Sequence, residues 1–191
     1  METILISEYD TQEEVTSDDA LIQQILQQPT RFSPLYRRYA ARVYRYLYGC
    51  LWNIQDAQDL TSQVFLEVLQ ALPRYRAQGN FTAWLFTIVR RRAIDFRRNQ
   101  KPVVSIDAVS EHASFSVDPL EEIIWGETLQ QLGDLFRKLD DDSQELLRLR
   151  YGARLSYGQI GQVLGRSEAA VGMALTRLLG KLKAQWEGKD D

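Results

Sequence analysis

Arginine, amide and aromatic residues alternate over residues 74–98, and this mixture suits the binding of single-stranded nucleic acid. Cations follow a phosphate backbone, while flat aromatic rings stack on unpaired bases. The residues that could do this are Arg74, Arg76, Gln78, Asn80, Phe81, Trp84, Arg90, Arg91 and Arg98. The alternative is that Phe81 and Trp84 fill a helical core, because aromatic residues at helical spacing usually do so.

A second candidate site lies in residues 155–182, whose pattern predicts a helix-turn-helix. Ser156 and Ser167 are suited to cap its two helices, and Gly165 permits the tight turn between them. The residues expected to face DNA are Arg166, Ser167, Gly172, Met173, Thr176, Arg177 and Lys181. Helical hairpins of this size also occur in bundles that never bind DNA, so the pattern alone leaves that alternative open.

The chemistry of this second site predicts weak reading of base edges. Arginine and lysine are expected to contact phosphates there, and only Met173 offers a base contact, to a thymine methyl group. Gly172 is expected to let the helix approach the DNA groove closely.

No catalytic or metal-binding set is apparent in the sequence. One histidine, His112, and one cysteine, Cys50, cannot make a Ser-His-Asp or Cys-His arrangement or a zinc cage, and no glycine-rich phosphate loop occurs. Three consecutive acids, Asp140 to Asp142, precede a predicted helix, where such residues more often serve as caps than as metal ligands. We therefore expect a protein that is not an enzyme and uses no metal or cofactor.

Charge is segregated along the chain, although the formal net charge is only −3. Residues 1–30 carry seven acids and no Lys or Arg, residues 31–101 carry thirteen basic and four acidic residues, and residues 102–128 carry six acids and no Lys or Arg. The basic segment suits a polyanionic partner, with a solvated basic face as the alternative. A single cysteine, no secretory signal and no long apolar run predict a cytoplasmic protein without membrane insertion.

Helices in two domains must position these residues. Helical periodicity predicts an all-α fold, with two small helical domains joined by a flexible linker and a helix-turn-helix in the second. The linker is inferred because residues 101–120 lose this periodicity and contain two prolines. The expected divisions are an acidic N-terminal extension with a short helix at 1–30, a helical domain at 31–100, the linker at 101–126 and the helix-turn-helix domain at 127–191.

Capping residues and apolar spacing place the individual helices. Ser17 is suited to cap the first helix, and Ser33 followed by Pro34 reads as the cap and first residue of the second. The second helix is expected to bury Leu35, Tyr39, Val43, Leu47 and Cys50. The first helix is expected at about residues 18–28, and further helices at about 56–72, 81–98, 129–139 and 143–151.

Two stretches resemble regions of the sigma-70 family. Residues 52–98 resemble region 2, and residues 139–182 resemble region 4. The region 2 pattern DAxDLxQxVF is met by Asp56, Ala57, Asp59, Leu60, Val64 and Phe65, and the pattern FxxWLxxIARNxxxDxxR by Phe81, Trp84, Leu85, Ile88, Arg90, Asp95 and Arg98. Gln58 stands where an acid is usual, Ser62 and Gln63 replace Gln-Glu or Gln-Asp, and Arg91 replaces the common asparagine. With a short linker and no region 3, the chain resembles the extracytoplasmic-function (ECF) group.

The resemblance implies an RNA polymerase sigma factor that melts the minus-10 promoter element through region 2 and binds the minus-35 element through region 4. The partners implied are promoter DNA, an anti-sigma factor and core polymerase, at the flap and at the clamp helices of the largest subunit. The implied core-binding residues are Asp56, Asp59, Leu60, Gln63 and Glu67. A helix-turn-helix regulator that binds an operator without polymerase is the main alternative, and a metal-dependent nuclease is a third class.

Overall fold

The computed structural model describes residues 17–76, 80–99, 133 and 135–187, and every regular element among them is helical. These helices belong to two compact units, which divide between Gln100 and Lys101. The predicted all-α fold class is confirmed. The predicted linker at 101–126 lies outside the described residues, as does most of the predicted acidic extension.

Four helices build the first unit: α1 (Asp18–Gln27), α2 (Ser33–Leu51), α3 (Ile54–Ala71) and α4 (Phe81–Asn99). Helix α2 packs against the other three, and α3 also packs against α4. Their shared core contains the fully buried Leu35, Val43, Leu47, Val64, Val68, Leu85, Phe86 and Val89. Burial of each such side chain stabilises the unit by about 1.5–3 kcal/mol.

Side-chain caps determine where these helices begin. The Ser17 hydroxyl accepts a hydrogen bond from the Ala20 N–H at 3.3 Å, which confirms the predicted cap of α1. Helix α3 begins earlier than predicted because the Asn53 side chain accepts from the Asp56 N–H at 2.9 Å. The predicted Ser33 cap is wrong. A 3₁₀ turn over Pro29–Phe32 runs directly into α2, and Ser33 already has helical angles, φ −54° and ψ −42°.

A polar network anchors α1 to α2 and α4. The Tyr39 hydroxyl lies 2.5 Å from Asp18 Oδ2 and 2.9 Å from Thr82 Oγ1, and Arg38 donates to Asp18 Oδ1 at 2.8 Å. Burial, and then the hydrogen bond with Asp18, raise the pKa of Tyr39 above its usual value. The hydroxyl therefore stays protonated and donates to Asp18, the first residue of α1.

The second unit contains α5 (Asp141–Leu147), α6 (Tyr157–Leu164) and α7 (Glu168–Glu187). A π-helical turn over Arg148–Gly152 follows α5, and both α5 and α6 pack against α7. The core includes the fully buried Leu149, Leu155, Ile160 and Val171. Of the helix predicted near residues 129–139, residues 133 and 135–137 are helical, whereas residues 138 and 139 form a turn and a bend.

The helix predicted at 143–151 starts instead at Asp141. The Asp140 side chain accepts from the Ser143 N–H at 2.9 Å and so acts as the cap. Cys50, predicted to be buried, is half-buried at the end of α2. Among the described helices of both units, none is long and apolar enough to cross a membrane.

Candidate nucleic-acid interface

The outer face of α3 presents carboxylates and an amide to solvent. Asp59 and Gln63 are exposed, and Asp56 is half-buried. Leu60, which was expected to bind polymerase, is only 2% exposed, because the helical repeat turns it into the core. It therefore supports this face without forming part of it. Sequence reasoning missed Leu66, which is 61% exposed on α3.

Glu67, expected on the same face, turns toward α4 instead. Its Oε2 lies 3.0 Å from Arg92 Nε, and its Oε1 pairs with Arg91. The side chain of Arg91 is 61% exposed, whereas that of Glu67 is 25% exposed. Sequence reasoning missed Arg92, because spacing within one helix does not reveal an ion pair between two helices. The pair lies where the expected polymerase-binding and DNA-binding residues meet.

The start of α4 and the loop before it were expected to hold unpaired bases. Arg74, Arg76 and Asn80 are exposed, while Gln78 lies outside the described residues. Phe81 is only 2% exposed, and its ring meets Tyr39 and Tyr75 edge-on at centroid distances of 5.4 and 5.5 Å. The alternative interpretation, a core aromatic, therefore applies to Phe81, which has no accessible face for a base.

Trp84 differs from Phe81 because its ring is only half-buried. Its centroid lies 4.9 Å from that of Tyr75 and 5.5 Å from that of Phe81. Tyr75 was not singled out from the sequence, although it lies between two of the predicted arginines. The accessible part of this aromatic cluster consists of Tyr75 and Trp84.

The C-terminal half of α4 is strongly basic. It carries five arginines and one carboxylate, Asp95. Arg90 is half-buried, whereas Arg91, Arg97 and Arg98 are exposed. Residues seven apart lie on one side of a helix, so Arg91 and Arg98 form one row and Arg90 and Arg97 a neighbouring row.

In the second unit, the helix-turn-helix has the predicted caps. Ser156 Oγ accepts from the Gln159 N–H at 3.1 Å, and the Gln159 side chain accepts from the Ser156 N–H at 3.0 Å. Gly165 has φ +68°, the left-handed conformation that favours glycine. Ser167 accepts from the Ala170 N–H at 3.2 Å at the start of α7.

A glycine not foreseen from the sequence sets the spacing of this turn. A Cβ on Gly161 would lie 2.5 Å from the carbonyl oxygen of Arg166. The Gly161 carbonyl accepts from the Arg166 N–H at 2.8 Å. Only glycine fits this close approach of α6 to the turn.

The outer side of α7 exposes most of the residues expected to face DNA. Met173 is 55% exposed, and Ser167, Thr176, Arg177 and Lys181 are also exposed. Gly172 is half-buried, and a Cβ there would lie 3.4 Å from the ring of Tyr157 on α6. The Tyr157 ring therefore lies beside part of Gly172, and the expectation that this glycine serves a close approach to DNA stays a prediction.

Arg166 is held by an acid on α5. Its guanidinium donates to both carboxylate oxygens of Asp142, at 2.9 and 2.6 Å. The hydrogen bonds and the charge of Asp142 raise the pKa of Arg166. Asp142 uses two of the five guanidinium N–H groups of Arg166, so a phosphate contact by Arg166 would have to use the others.

Two of the three consecutive acids at the start of α5 have structural partners. Backbone and side-chain hydrogen bonds from Ser143 lower the pKa of Asp140 and stabilise it as the cap. Asp142 binds Arg166. Across the described parts of both units, no group of three His, Cys, Asp or Glu residues is placed to hold a metal ion.

Comparison with known families identifies these two helical units. Residues 35–103 match the family model of sigma-70 region 2, and residues 135–184 match that of sigma-70 region 4. The chain is 30% identical to the RNA polymerase sigma factor YlaC of Bacillus subtilis over 157 residues, which cover 78% of this chain and 88% of YlaC. It is 32% identical to the ECF RNA polymerase sigma factor ShbA of Streptomyces griseus over 133 residues, which cover 66% of this chain and 70% of ShbA.

Two further matches agree with this result. The ECF RNA polymerase sigma factor BldN of Streptomyces coelicolor is 30% identical over 143 residues, or 73% of this chain, and the match spans 54% of BldN. A solved structure of CnrH in complex with the cytosolic domain of CnrY aligns with a TM-score of 0.68 and 21% identity, covering 91% of this chain and 99% of that one. At this identity the structural match supports the fold.

A region 2 unit followed by a region 4 helix-turn-helix defines the class: the chain belongs to the sigma-70 family. Within that family it is an ECF-type RNA polymerase sigma factor, as its curated relatives indicate.

Proposed function

We propose that the two units divide promoter recognition between them. The first unit docks on the clamp helices of core polymerase through α3 and holds the melted minus-10 strand beside α4. The second unit binds the minus-35 element as duplex through α7 and contacts the flap. The protein acts by binding and carries out no catalytic step of its own.

The assignment of the first unit rests on one observation: the adjacent helices α3 and α4 expose side chains of opposite charge. Helix α3 exposes Asp59 and Gln63, whereas the C-terminal half of α4 exposes three arginines: Arg91, Arg97 and Arg98. Acidic side chains suit charge-assisted contacts with a basic partner, while arginines suit phosphates. Of the residues expected to bind polymerase, we propose Asp56, Asp59 and Gln63 as the direct contacts. Leu60 supports this face from within, and Glu67 acts from its edge.

On the DNA side, we propose Trp84 and Tyr75 as the stacking rings and Arg74, Arg76, Asn80, Arg90, Arg91 and Arg98 as the groups that follow the strand. Gln78 belongs to the same proposed loop. In the second unit the proposed contacts are Ser167, Gly172, Met173, Thr176, Arg177 and Lys181. Arg166 contributes the guanidinium N–H groups that Asp142 does not use.

An inhibitory protein partner is part of the proposal, as expected for the ECF group. CnrH, the protein of the structural match, was solved in complex with the cytosolic domain of CnrY. Neither family match supports the alternative, a regulator that binds DNA without polymerase.

Reconstitution with core polymerase tests the docking surface. The double variant Asp56→Arg, Asp59→Arg should stop co-elution with core and abolish promoter-directed transcription while helical circular dichroism is preserved. The control is Gln23→Arg with Gln27→Arg, which adds two cations on the exposed side of α1 without removing an acid. Co-elution of the α3 variant at the wild-type level would contradict the docking surface.

A further inference from the structure

An aromatic ladder, consisting of Tyr44, Tyr48 and Trp52, runs along the end of α2 and has no part in the function proposed above. The rings of Tyr44 and Tyr48 stack with centroids 6.1 Å apart and planes 19° apart, and the Trp52 ring lies 6.2 Å from that of Tyr48. Spacing by four residues puts the three side chains on one side of the chain. The tyrosines are half-buried and Trp52 is 38% exposed, so the ladder ends in an accessible ring.

The backbone of Trp52 adopts a conformation that bulky residues rarely take. It has φ 53° and ψ 25°, in the left-handed region, and its N–H donates to the Tyr48 carbonyl at 2.8 Å to end α2. Glycine is the residue that this capping position favours. A tryptophan at a position where glycine would be least strained indicates that its ring serves a contact.

Charge indicates what kind of partner suits this side of α2. Arg37 and Arg45 are exposed, and α2 contains no Asp or Glu. The core side of the helix is formed by other residues, such as Leu35 and Val43. An apolar protein surface would bury these guanidinium groups at a high desolvation cost. A strand with unpaired bases satisfies both features, because phosphates pair with arginines and bases stack on rings.

We propose that the aromatic ladder, together with Arg37 and Arg45, is a second binding surface for single-stranded nucleic acid. It shares no residue with the minus-10 proposal, which uses side chains within residues 74–98. A base stacks on the exposed Trp52 ring, which Tyr48 supports from within the helix. Arg37 and Arg45 neutralise the phosphates of the same strand.

Binding of labelled oligonucleotides of about 12 nucleotides, a length within the range that such surfaces occupy, tests the proposal on the full chain. Trp52→Gly removes the ring and at the same time supplies the residue that the left-handed backbone favours. We expect this variant to bind oligo-dT or oligo-rU about five-fold or more weakly, from the loss of one stacked base, with its thermal stability kept or raised. Comparing the two oligonucleotides shows whether the strand is DNA or RNA, and a loss with either supports the proposal.

Two further variants keep the result interpretable. Tyr48→Ala should weaken binding in the same way, whereas Tyr151→Ala, at a tyrosine of the second unit that is 56% exposed, should leave it unchanged. Wild-type binding by folded Trp52→Gly and Tyr48→Ala would overturn the proposal. It would also be overturned if these variants kept oligonucleotide binding and lost co-elution with core polymerase, because the surface would then be a protein interface.

Discussion

Glu67 on α3 is joined to Arg92 on α4, with 3.0 Å between the carboxylate Oε2 and the guanidinium Nε. Its other oxygen pairs with Arg91, so one carboxylate holds two adjacent arginines. These groups are partly exposed, and pairs of this kind add little to stability. The main consequence of the bridge is therefore a reduction of the positive charge on this side of α4, where we propose that DNA binds.

Removing the Glu67 charge should strengthen DNA binding. In Glu67→Gln the two arginines become available to phosphates, and up to about two additional contacts should steepen the salt dependence of binding. Titration of a forked promoter fragment at several salt concentrations measures this slope. Asp59→Asn, an equal change of charge on the exposed face of α3, is the control. Equal slopes in the two variants would contradict a specific role of the bridge.

The Tyr39 hydroxyl should matter for stability. Tyr39→Phe removes the contacts with Asp18 and Thr82 in a buried setting, and we expect the free energy of unfolding to fall by about 1–2 kcal/mol. Urea unfolding followed by circular dichroism measures the change. Tyr36→Phe, at a residue that is 40% exposed, should change it by less than about 0.5 kcal/mol. Equal effects of the two variants would argue against the network as the anchor of α1.

Alanine substitutions at Phe81 and Trp84 should affect different properties, protein stability in the first case and promoter melting in the second. Phe81→Ala empties a buried site and should cost about 3–5 kcal/mol. Trp84→Ala, at a half-buried ring, should cost less but slow the opening of promoter DNA, because stacking contributes about 1–3 kcal/mol per base. Permanganate reactivity of the melted strand, measured beside thermal unfolding, distinguishes the two. Normal opening by folded Trp84→Ala would remove Trp84 from the proposed site.

Three glycines of the helix-turn-helix should respond to alanine in opposite directions. Gly161→Ala forces a Cβ to within 2.5 Å of the Arg166 carbonyl oxygen and should destabilise the second unit. Gly180→Ala meets nothing within 4 Å and Gly172→Ala meets the Tyr157 ring at 3.4 Å. Both should stabilise α7 by up to about 1 kcal/mol through helix propensity. Thermal unfolding of the three variants gives the order of their melting temperatures. A Gly161→Ala variant as stable as the wild type would contradict the close approach at Gly161.

The Asp140 cap should make the second unit sensitive to acid. Hydrogen bonds from Ser143 lower the pKa of Asp140 from its usual 3.8. The charged carboxylate therefore stabilises the fold in full at pH values above the pKa that Asp140 has in the unfolded chain. This stabilisation is lost as the pH falls below about 3.8 and through the lower pKa of the folded state. Asp140→Asn can still cap α5 but does not titrate. The difference in melting temperature between wild type and this variant should therefore shrink on acidification. Asp141→Asn, at the exposed neighbour, is the control, and a constant difference for Asp140→Asn would contradict the assignment.

Features that depend on neighbouring residues could be predicted from the sequence. The helix-turn-helix follows from Ser156, Gly165 and Ser167, because caps and tight turns use contacts within about four residues. The all-α class and the buried side of α3 follow from apolar spacing in the same way. The motifs of regions 2 and 4, which carry the family resemblance, are also read along a single helix or hairpin.

Only the tertiary structure decided which side chains of the candidate site are available. Leu60 matches a family pattern but faces the core, and Gly172 lies beside the ring of Tyr157. Glu67 and Arg166 have charged partners 24 residues away along the chain, on other helices. Periodicity gives the direction of a side chain around its own helix, but it contains no information about which residue of another helix is opposite. Such pairings depend on how the helices pack, and packing is set by the whole core of each unit.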